Sequence, residues 1–475
     1  MEQLNYRFKE GCNEQFVVES LEDITDDVLM EFVTRHQQLQ RPRLEELKRY
    51  YLNQNRTILE RENRKEGLAN NRLCHAYARY VSSFMQGYLV GNEIKVTHPD
   101  ERVNAAIQEL NIDSGINRVN AENTLDNSIY GRAFDLVYRG KDDKCRVVLL
   151  DAMSTFVIYD DTVDQNYLMG VRYRTNMRDK MVIECYTATH VIKKIQTDLA
   201  VLEEISREQH AFGMVPITEH KNNRFRTGDY EHVLDQIDAY DAAESDTANY
   251  MTDFNEAYLA IMGNMDLSPE KVNLMKDSRI IHLIPSTSNL GDAKGTVDVK
   301  YVYKQYDVAG SEAYKNRLQN DIHKFTNTPD MNDEKFAGNN SGVSMQYKLF
   351  GLEQLRSTKQ TLFTDSAIRR YKMIFNLGKT TKEFGDVDLT KLEFIFTPNI
   401  PKSFYEEVKA FTDLGGQLSQ ETILTLTALV KDAKEEMKKI QSEQVNGSTL
   451  QARLSMNQNA AVFDKYSQAP ADESE

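Results

Sequence analysis

Apolar residues recur at helical spacing through the first third of the chain, and a β-rich stretch with Gly, Asp and Asn turns follows. Capping and first-turn residues mark where the helices begin. The helices predicted in this way are 26–39, capped by Thr25 or Asp26; 42–53, with Pro42 in the first turn; 71–87, capped by Asn70 or Asn71 and ending at Gly87; 101–110; and 117–130. The strands predicted in the β-rich stretch are 132–139, 145–150, 156–159, 168–175, 181–187 and 191–196.

Helical spacing returns in residues 229–262, where the charged positions are all acidic. The stretch contains nine Asp and Glu residues and no Lys or Arg. Its apolar residues at helical spacing are Tyr230, Val233, Ile237, Tyr240, Ala248, Met251, Phe254, Tyr258 and Ile261. A continuous helix over this stretch would be about 50 Å long. It would have one apolar face and one negative face, and the negative face either lies in solvent or lines a passage for polyanions.

The second half of the chain predicts a helix that leads out, a small β module and a helix that leads back. The elements predicted after the acidic stretch are strands 279–285 and 296–304 around a polar loop 286–295, a helix 311–326, a loop 327–342, a long helix 344–375, a strand 392–397 and helices from Lys402 onward. The loop, NTPDMNDEKFAGNNSG, has no periodicity, and loops of this length are often functional. This order predicts an α+β protein with a stalk and a head.

Charge and composition narrow the possible functions. The formal net charge over 475 residues is −15, which argues against a protein that coats nucleic acid by neutralising phosphate. Four widely separated cysteines favour reduced thiols in a cytoplasmic protein: Cys12, Cys74, Cys145 and Cys185. No apolar run approaches the roughly 20 residues of a membrane span, and the first residues lack a signal-peptide core. A soluble intracellular product is expected.

Sequence motifs for catalysis are few. There is no P-loop, nucleophile elbow or HExxH motif, and the nine histidines are scattered. Asp160, Asp161 and Asp164 have the side chains of a metal-binding nuclease loop, but Asp residues between two strands are typical of a turn. Arg369 and Arg370 are interpreted as the end of a helix, where cations interact well with the helix dipole. No cofactor and no metal ion are expected.

Four segments of the chain, in this order, resemble the portal proteins of tailed bacteriophages. They are YYLNQNRTIL (50–59) with ANNRL (69–73) and GYLVG (87–91); GMVPITEHKNN (213–223) with DYEHVLDQIDAYD (229–241); GNNSG (338–342) with KLFGLEQL (348–355); and SQETILTL (419–426) with VKDAKEEMKKI (430–440). The resemblance implies a ring, usually a dodecamer, at one capsid vertex. Double-stranded DNA would pass through its channel, without sequence readout, during packaging and ejection.

The same resemblance implies partners and an internal organisation. The expected partners are further copies of the chain, the terminase motor, a head–tail adaptor, and capsid and scaffolding proteins, with no membrane; the protein would pass from host cytoplasm into the virion. The α+β fold would comprise a mixed wing, a helical stem, a small α/β clip and a helical crown. Carried onto this sequence, the parts are wing 1–228, stem helix one 229–262, clip 263–310, stem helix two 311–326, tunnel loop 327–343, long wing helix and wing strand 344–403, and crown with a flexible tail 404–475.

The acids Asp235, Asp238 and Asp241 are expected to face the channel. A ring of negative charge would repel phosphate and so lower friction on DNA that must move in both directions. Cations of the second stem helix would offset repulsion between subunits: Lys315, Arg317 and Lys324. The alternative is that the three acids face solvent outside the stalk.

The tunnel loop is expected to be the moving part, because its Asn and Gly residues permit many backbone conformations. Lys335 would contact phosphate, and Met331 and Phe336 are apolar tips without an evident core. The loop residues expected to act are Met331, Lys335, Phe336, Asn339 and Asn340. A disordered surface loop is the alternative. The clip residues expected to dock the motor and the tail connector are Ser286, Asn289, Asp292 and Lys294.

Two other functions are left open by the sequence. One is a metal-dependent DNA-processing enzyme that uses Asp160, Asp161 and Asp164. The other is a non-portal head–tail adaptor or scaffold, although adaptors are usually much shorter than this chain and lack a helix out and a helix back.

Overall fold

The chain divides into two compact units, Met1–Asn399 and Ile400–Glu475. The computed structural model describes residues 10–66, 68–198, 201–253, 258–262, 298–302, 307–331, 349–381, 387–399, 419, 424 and 436–442. In the second unit this leaves Ser419, Leu424 and the helical residues 436–442. The remainder of the predicted crown, 404–475, lies outside the described residues.

Helices and strands are interspersed along the first unit. The helices are α1 (Asp26–Arg35), α2 (Arg41–Tyr51), α3 (Arg56–Leu59), α4 (Tyr77–Val90), α5 (Glu101–Ser114), α6 (Ile116–Tyr130), α7 (Leu234–Asp253), α8 (Val308–Phe325) and α9 (Phe350–Thr381). The strands are β1 (Phe16–Val18), β2 (Lys95–Thr97), β3 (Arg132–Arg139), β4 (Cys145–Leu150), β5 (Thr155–Asp160), β6 (Tyr167–Thr175), β7 (Met181–Tyr186), β8 (His190–Asp198), β9 (Val201–Gln209), β10 (Ile217–Lys221), β11 (Tyr258–Met262), β12 (Asp298–Val302) and β13 (Glu393–Ile395).

The N-terminal helices begin where their capping residues predict. The Thr25 side chain accepts a hydrogen bond from the Val28 amide, and Pro42 lies in the first turn of α2. A π-helical turn, His36–Gln40, joins α1 to α2 without a loop. Gly115 separates α5 from α6 at φ +57°, a backbone conformation in which glycine is favoured.

The described strands form four sheets. The largest has the order β1-β5-β6-β7-β8-β9, in which β1 runs parallel to β5 and the other neighbours are antiparallel. A second sheet has the order β10-β3-β4, and β2 pairs with β13. The strands β11 and β12 pair antiparallel, from Tyr258 with Val302 to Met262 with Asp298. Between α7 and α8 the chain therefore reverses direction, because β12 runs antiparallel to β11.

The hydrophobic core lies in connected clusters around the sheets. Helix α1 packs on the six-stranded sheet through Leu29, Phe32 and Val33. The largest cluster joins α2, α4 and α6 to the three-stranded sheet. It also contains Tyr230 and Ile237 from the acidic stretch. The first residues of the acidic stretch are therefore part of the hydrophobic core of the first unit.

Three sequence predictions are corrected by these boundaries. Residues 71–76 are neither helix nor strand and α4 begins only at Tyr77, so the predicted cap at Asn70 or Asn71 is wrong. The helix predicted over 229–262 ends at Asp253, and residues 258–262 form β11. Helix α9 continues to Thr381, so Arg369 and Arg370 lie in mid-helix rather than at its end.

Candidate functional site

The acids of α7 differ sharply in their surroundings. Asp235 is exposed to solvent. Asp238 accepts hydrogen bonds from the Tyr50 hydroxyl at 2.6 Å, the Asn55 amide at 2.9 Å and the Thr57 hydroxyl at 3.2 Å. Asp238 is thus engaged by the end of α2 and by the residues that follow it.

Asp241 is fully buried, with 0% of its surface exposed. Its carboxylate accepts hydrogen bonds from the Asn55 side chain, the His75 backbone amide and the His75 ring, at 2.8 to 2.9 Å. A buried carboxylate is stable only when such donors replace water. The prediction that Asp241 faces a channel is therefore wrong, because all of these donors come from the same subunit.

Residues 68–76, which we call the strap, run along α7 in the opposite direction. Four α7 side chains at every fourth position accept hydrogen bonds from strap backbone amides, and we call them the acceptor ladder. The ladder bonds are His75 to Asp241 at 2.8 Å, Leu73 to Ser245 at 2.9 Å, Asn71 to Asn249 at 2.6 Å and Ala69 to Asp253 at 2.7 Å. The helix thus takes the place of a neighbouring strand.

The geometry of the acceptor ladder follows from two repeats that nearly match. Four helical residues rise about 6.0 Å, and two extended residues span about 6.6 Å. Acceptors on one helix face can therefore meet every second amide of an extended segment. Two ion pairs add to the ladder: Arg64 with Asp253 at 2.8 Å and Arg61 with Asp246 at 3.4 Å.

A set of buried ion pairs, which we call the junction cluster, fixes the start of α7. Lys359 of α9 contacts both carboxylate oxygens of Asp229, at 2.7 and 2.9 Å. Arg43 of α2 makes a two-pronged contact with Glu231, at 2.7 and 2.6 Å. These contacts tie the chain between β10 and α7 to two distant helices.

The third pair of the junction cluster joins Arg226 to Glu219 of β10, at 2.8 and 3.0 Å. Burial alone would raise the pKa of Glu219, but the hydrogen-bonded Arg226 guanidinium, together with Arg132 and Lys221, lowers the pKa to about 2. Glu219 is therefore charged at neutral pH, and its charge is balanced inside the protein.

Arg370, which lies in the middle of α9, also forms a buried ion pair. Arg370 is 1% exposed and contacts Asp135 of β3 at 2.9 Å and Asn120 of α6 at 2.8 Å. Helix α9 is therefore anchored by charge to the three-stranded sheet as well as to the start of α7.

Helices α7 and α8 pack as an antiparallel pair. Lys315 lies 3.3 Å from Glu244, and the His232 ring contacts the Phe325 carbonyl at 2.9 Å, so contacts run in opposite directions along the two helices. Burial alone would lower the pKa of Lys315, but Glu312 and Glu244 raise it. Lys315 thus balances an acid of its own subunit. Of the other cations proposed for that role, Arg317 pairs with Asp321 in α8, and Lys324 is exposed.

The remaining residues singled out in the sequence fall largely outside the described ranges. Met331 is described and is 43% exposed. The other loop residues, Lys335, Phe336, Asn339 and Asn340, lie outside the described residues. The proposed clip residues do so too: Ser286, Asn289, Asp292 and Lys294.

Asp160 forms the turn between β5 and β6 that its sequence context favours. Its carboxylate accepts hydrogen bonds from the Thr162 hydroxyl at 2.7 Å and from the Asn166 backbone at 2.8 Å. Asp161 and Asp164 are exposed. Within the described ranges, no group of His, Cys, Asp and Glu side chains is arranged to hold a metal ion. In the same residues, no helix is both long and apolar enough to cross a membrane.

The strap and the acceptor ladder could not be found from the sequence, because donor and acceptor lie far apart in the chain. The one local signal is the spacing of Asp241, Ser245, Asn249 and Asp253, four acceptors on one helix face. An apolar stripe at that spacing would indicate a core, whereas a polar stripe indicates a partner rich in donors.

Comparison with known proteins gives a family and two matching solved structures. A chain from the neck of an empty GTA particle is 12% identical, covering 74% of this chain and 89% of its own length, with a TM-score of 0.42. A chain from the virion of a native gene transfer agent (GTA) particle is 12% identical, covering 82% and 93%, with a TM-score of 0.43. No curated protein matches the chain.

The family profile described as phage portal protein, SPP1 Gp6-like, matches residues 30–448. The match takes in the strap, the junction cluster, the acceptor ladder, the α7–α8 pair and α9. The chain therefore belongs to the SPP1 Gp6-like family of phage portal proteins.

Proposed function

We propose that the chain assembles into a closed ring of about twelve copies at one capsid vertex. Double-stranded DNA enters through the ring during packaging and leaves through it during ejection. The ring is the docking platform for the terminase motor and the head–tail adaptor, and it contacts capsid and scaffolding proteins. It is assembled in the host cytoplasm and carried in the virion.

Family membership over residues 30–448 is the observation that carries this proposal. The antiparallel α7–α8 pair, with β11 and β12 between them in the chain, supports it. A helix out, a small sheet and a helix back suit a stem with a clip at its end. In this proposal α7 and α8 form the stem, and residues 263–310, with Ser286, Asn289, Asp292 and Lys294, dock partners.

The stem acids have a smaller part in the proposal than the sequence suggested. Asp241 is buried and Asp238 is partly buried under donors of their own subunit, whereas Asp235 and Asp246 are exposed, and Asp246 also pairs with Arg61 at 3.4 Å. Phosphate repulsion by two acids per subunit still grows with every copy in the ring. We therefore assign the lowering of friction to Asp235 and Asp246.

Particle mass tests the proposal most directly. A ring should have about twelve times the 54.7 kDa mass of the chain by mass photometry, with a central hole in negative-stain images. A monomer or dimer at micromolar concentration would contradict the proposal. Magnesium-dependent cleavage of plasmid DNA that disappears in Asp160→Ala would favour the enzyme alternative instead.

The loop at 327–343 is proposed to follow the DNA surface, with Lys335 on phosphate and Phe336, Asn339 and Asn340 at the tip. Deleting residues 337–341 is expected to abolish packaging in an in vitro motor assay while leaving the particle mass unchanged. Packaging by the deletion variant at the wild-type rate would remove the loop from the proposal.

A further inference from the structure

An aromatic stripe runs along one side of α4. Its members are Tyr77, Tyr80, Phe84 and Tyr88, which fall within an arc of about 80° on a helix. The rings from Tyr80 to Tyr88 are in contact, with centroids 6.1 Å apart for Tyr80 and Phe84 and 6.2 Å apart for Phe84 and Tyr88. Hydroxyl groups lie at both ends of the stripe, on Tyr77 and Tyr80 at one end and on Tyr88 at the other.

Tyr80 holds the segment that follows α8. Its hydroxyl donates to the Pro329 carbonyl at 2.8 Å and accepts from the Met331 amide at 3.3 Å. Its ring meets His323 of α8 edge-on at 5.5 Å, and the His323 ring contacts the Thr328 carbonyl at 3.0 Å. The last described residues before position 332 are therefore fixed to α4.

Tyr88 holds the start of α9. It is buried, and its hydroxyl donates to the Glu353 carboxylate in the first turn of α9. Glu353 is also paired with Arg356 at 2.8 Å. Tyr80 and Tyr88 are about 12 Å apart along α4. The described residues on the two sides of 332–348 are thus tied to the same helix.

The same two segments also meet each other. Asn327 has φ +52°, and its side-chain oxygen lies 2.8 Å from the position that a Cβ on Gly351 would occupy. A larger residue at position 351 would push Asn327 away. Both sides of the loop are consequently fixed to α4 and packed together.

We propose that Tyr80 and Tyr88 are positioning residues for the tunnel loop. They hold to one helix the described residues next to 332–348: Pro329 and Met331 of the tunnel loop on one side and Glu353 of α9 on the other. They thereby set where the loop meets the DNA. The last step rests on the proposed function, whereas the fixing of these residues does not.

Hydrogen exchange measured by mass spectrometry tests the fixing directly in the full-length protein. Tyr80→Phe is expected to speed amide exchange several-fold in the peptide containing 326–331 and to leave the peptide containing 349–353 unchanged. Tyr88→Phe is expected to do the reverse. Tyr77→Phe is the matched control: the Tyr77 hydroxyl bonds Tyr240, so both peptides should exchange as in wild type. Wild-type exchange of 326–331 in Tyr80→Phe would overturn the proposal.

Glu353 variants separate a positioning role from loss of packing. Glu353→Gln keeps an oxygen for the Tyr88 hydroxyl and should leave the exchange of 349–353 near wild type. Glu353→Leu keeps the bulk without the acceptor and should resemble Tyr88→Phe. Equal exchange in the two Glu353 variants would show that the hydroxyl contact does not hold α9.

DNA packaging connects the fixing to function. The double variant Tyr80→Phe with Tyr88→Phe should keep the wild-type particle mass and package DNA several-fold more slowly than Tyr77→Phe. Faster exchange with packaging at the wild-type rate would overturn the positioning role. A wild-type ring that packages no DNA would overturn the proposed function while leaving the exchange result intact.

Discussion

The start of α7 and its remaining length are both held through acidic side chains, but by different chemistry. At the junction cluster, Asp229 and Glu231 are buried against Lys359 and Arg43. Along the acceptor ladder, acids and neutral side chains bind backbone amides of the strap. Removing one member of a buried ion pair leaves an uncompensated charge, whereas removing one neutral ladder acceptor leaves a single strap amide unpaired. A single substitution at the start of α7 should therefore lower the free energy of unfolding strongly, whereas a single substitution at a neutral ladder position should lower it only slightly.

The largest effect is expected at the junction cluster. Asp229→Ala should lower the free energy of unfolding by about 3–5 kcal/mol, because it leaves the Lys359 ammonium buried without its carboxylate. Urea unfolding of the purified protein measures this loss. The double variant Asp229→Leu with Lys359→Met should recover most of it. A loss as large in the double variant would mean that packing, not charge, holds this point.

The charged end of the ladder is expected to come next. Asp241→Ala removes the acceptor of the Asn55 side chain and of the His75 amide and ring, so a loss of about 2–3 kcal/mol is expected. Asp246→Ala is the matched control on the same helix, since the Asp246 side chain is 68% exposed. Equal losses in the two variants, measured by thermal unfolding, would contradict the distinction between the two acids.

A single neutral ladder position should matter less. Ser245→Ala should cost about 1 kcal/mol, because only the Leu73 amide loses its acceptor. Amide exchange at Leu73 should accelerate more than exchange at Ala69, whose acceptor is Asp253. If the whole strap exchanged faster by the same factor, the ladder would be cooperative and would resemble the junction cluster after all.

The smallest effect on stability is expected at Asp235. Asp235→Lys should change the free energy of unfolding by no more than about 0.5 kcal/mol, because the side chain is exposed. It should slow packaging if exposed stem acids repel DNA. Reversing Asp238 as well would break contacts with Tyr50, Asn55 and Thr57, so the single change is the cleaner test. An unchanged packaging rate would indicate that the exposed acids only face solvent.

The sequence predicted strands that are rich in apolar residues and bounded by turn residues, and it missed a strand that is mostly polar. Strands β3 and β4 have the predicted boundaries because apolar residues dominate both and Gly140 and Asp142 mark the turn between them. Strand β9, VLEEISREQ, was missed because most of its residues are exposed at the edge of the sheet. Its charged side chains protect that edge and remove the alternation. Local pattern thus fails where a strand has little to bury.

The candidate site was predicted in outline and wrong in detail. The long acidic helix and the returning helix were found from spacing alone, and both are present as α7 and α8. Helix propensity placed Asn71 at a helix cap, but its amide is bound by Asn249. The sequence could not show that Asp241 is buried, because Asn55 and His75 approach it only in the folded chain. Acidic residues look alike in sequence until their donors are known.

The strap has a consequence for the order in which the protein is made. Its amides meet acceptors 166 to 184 residues later in the chain. At synthesis rates of 5–20 residues per second, the ribosome needs roughly ten to forty seconds to supply them. During that interval the nascent N-terminal third carries a segment whose partners do not yet exist. The strap can therefore bind α7 only after that helix has been synthesised. A truncated chain ending before Asp241 would lack all four acceptors of the ladder.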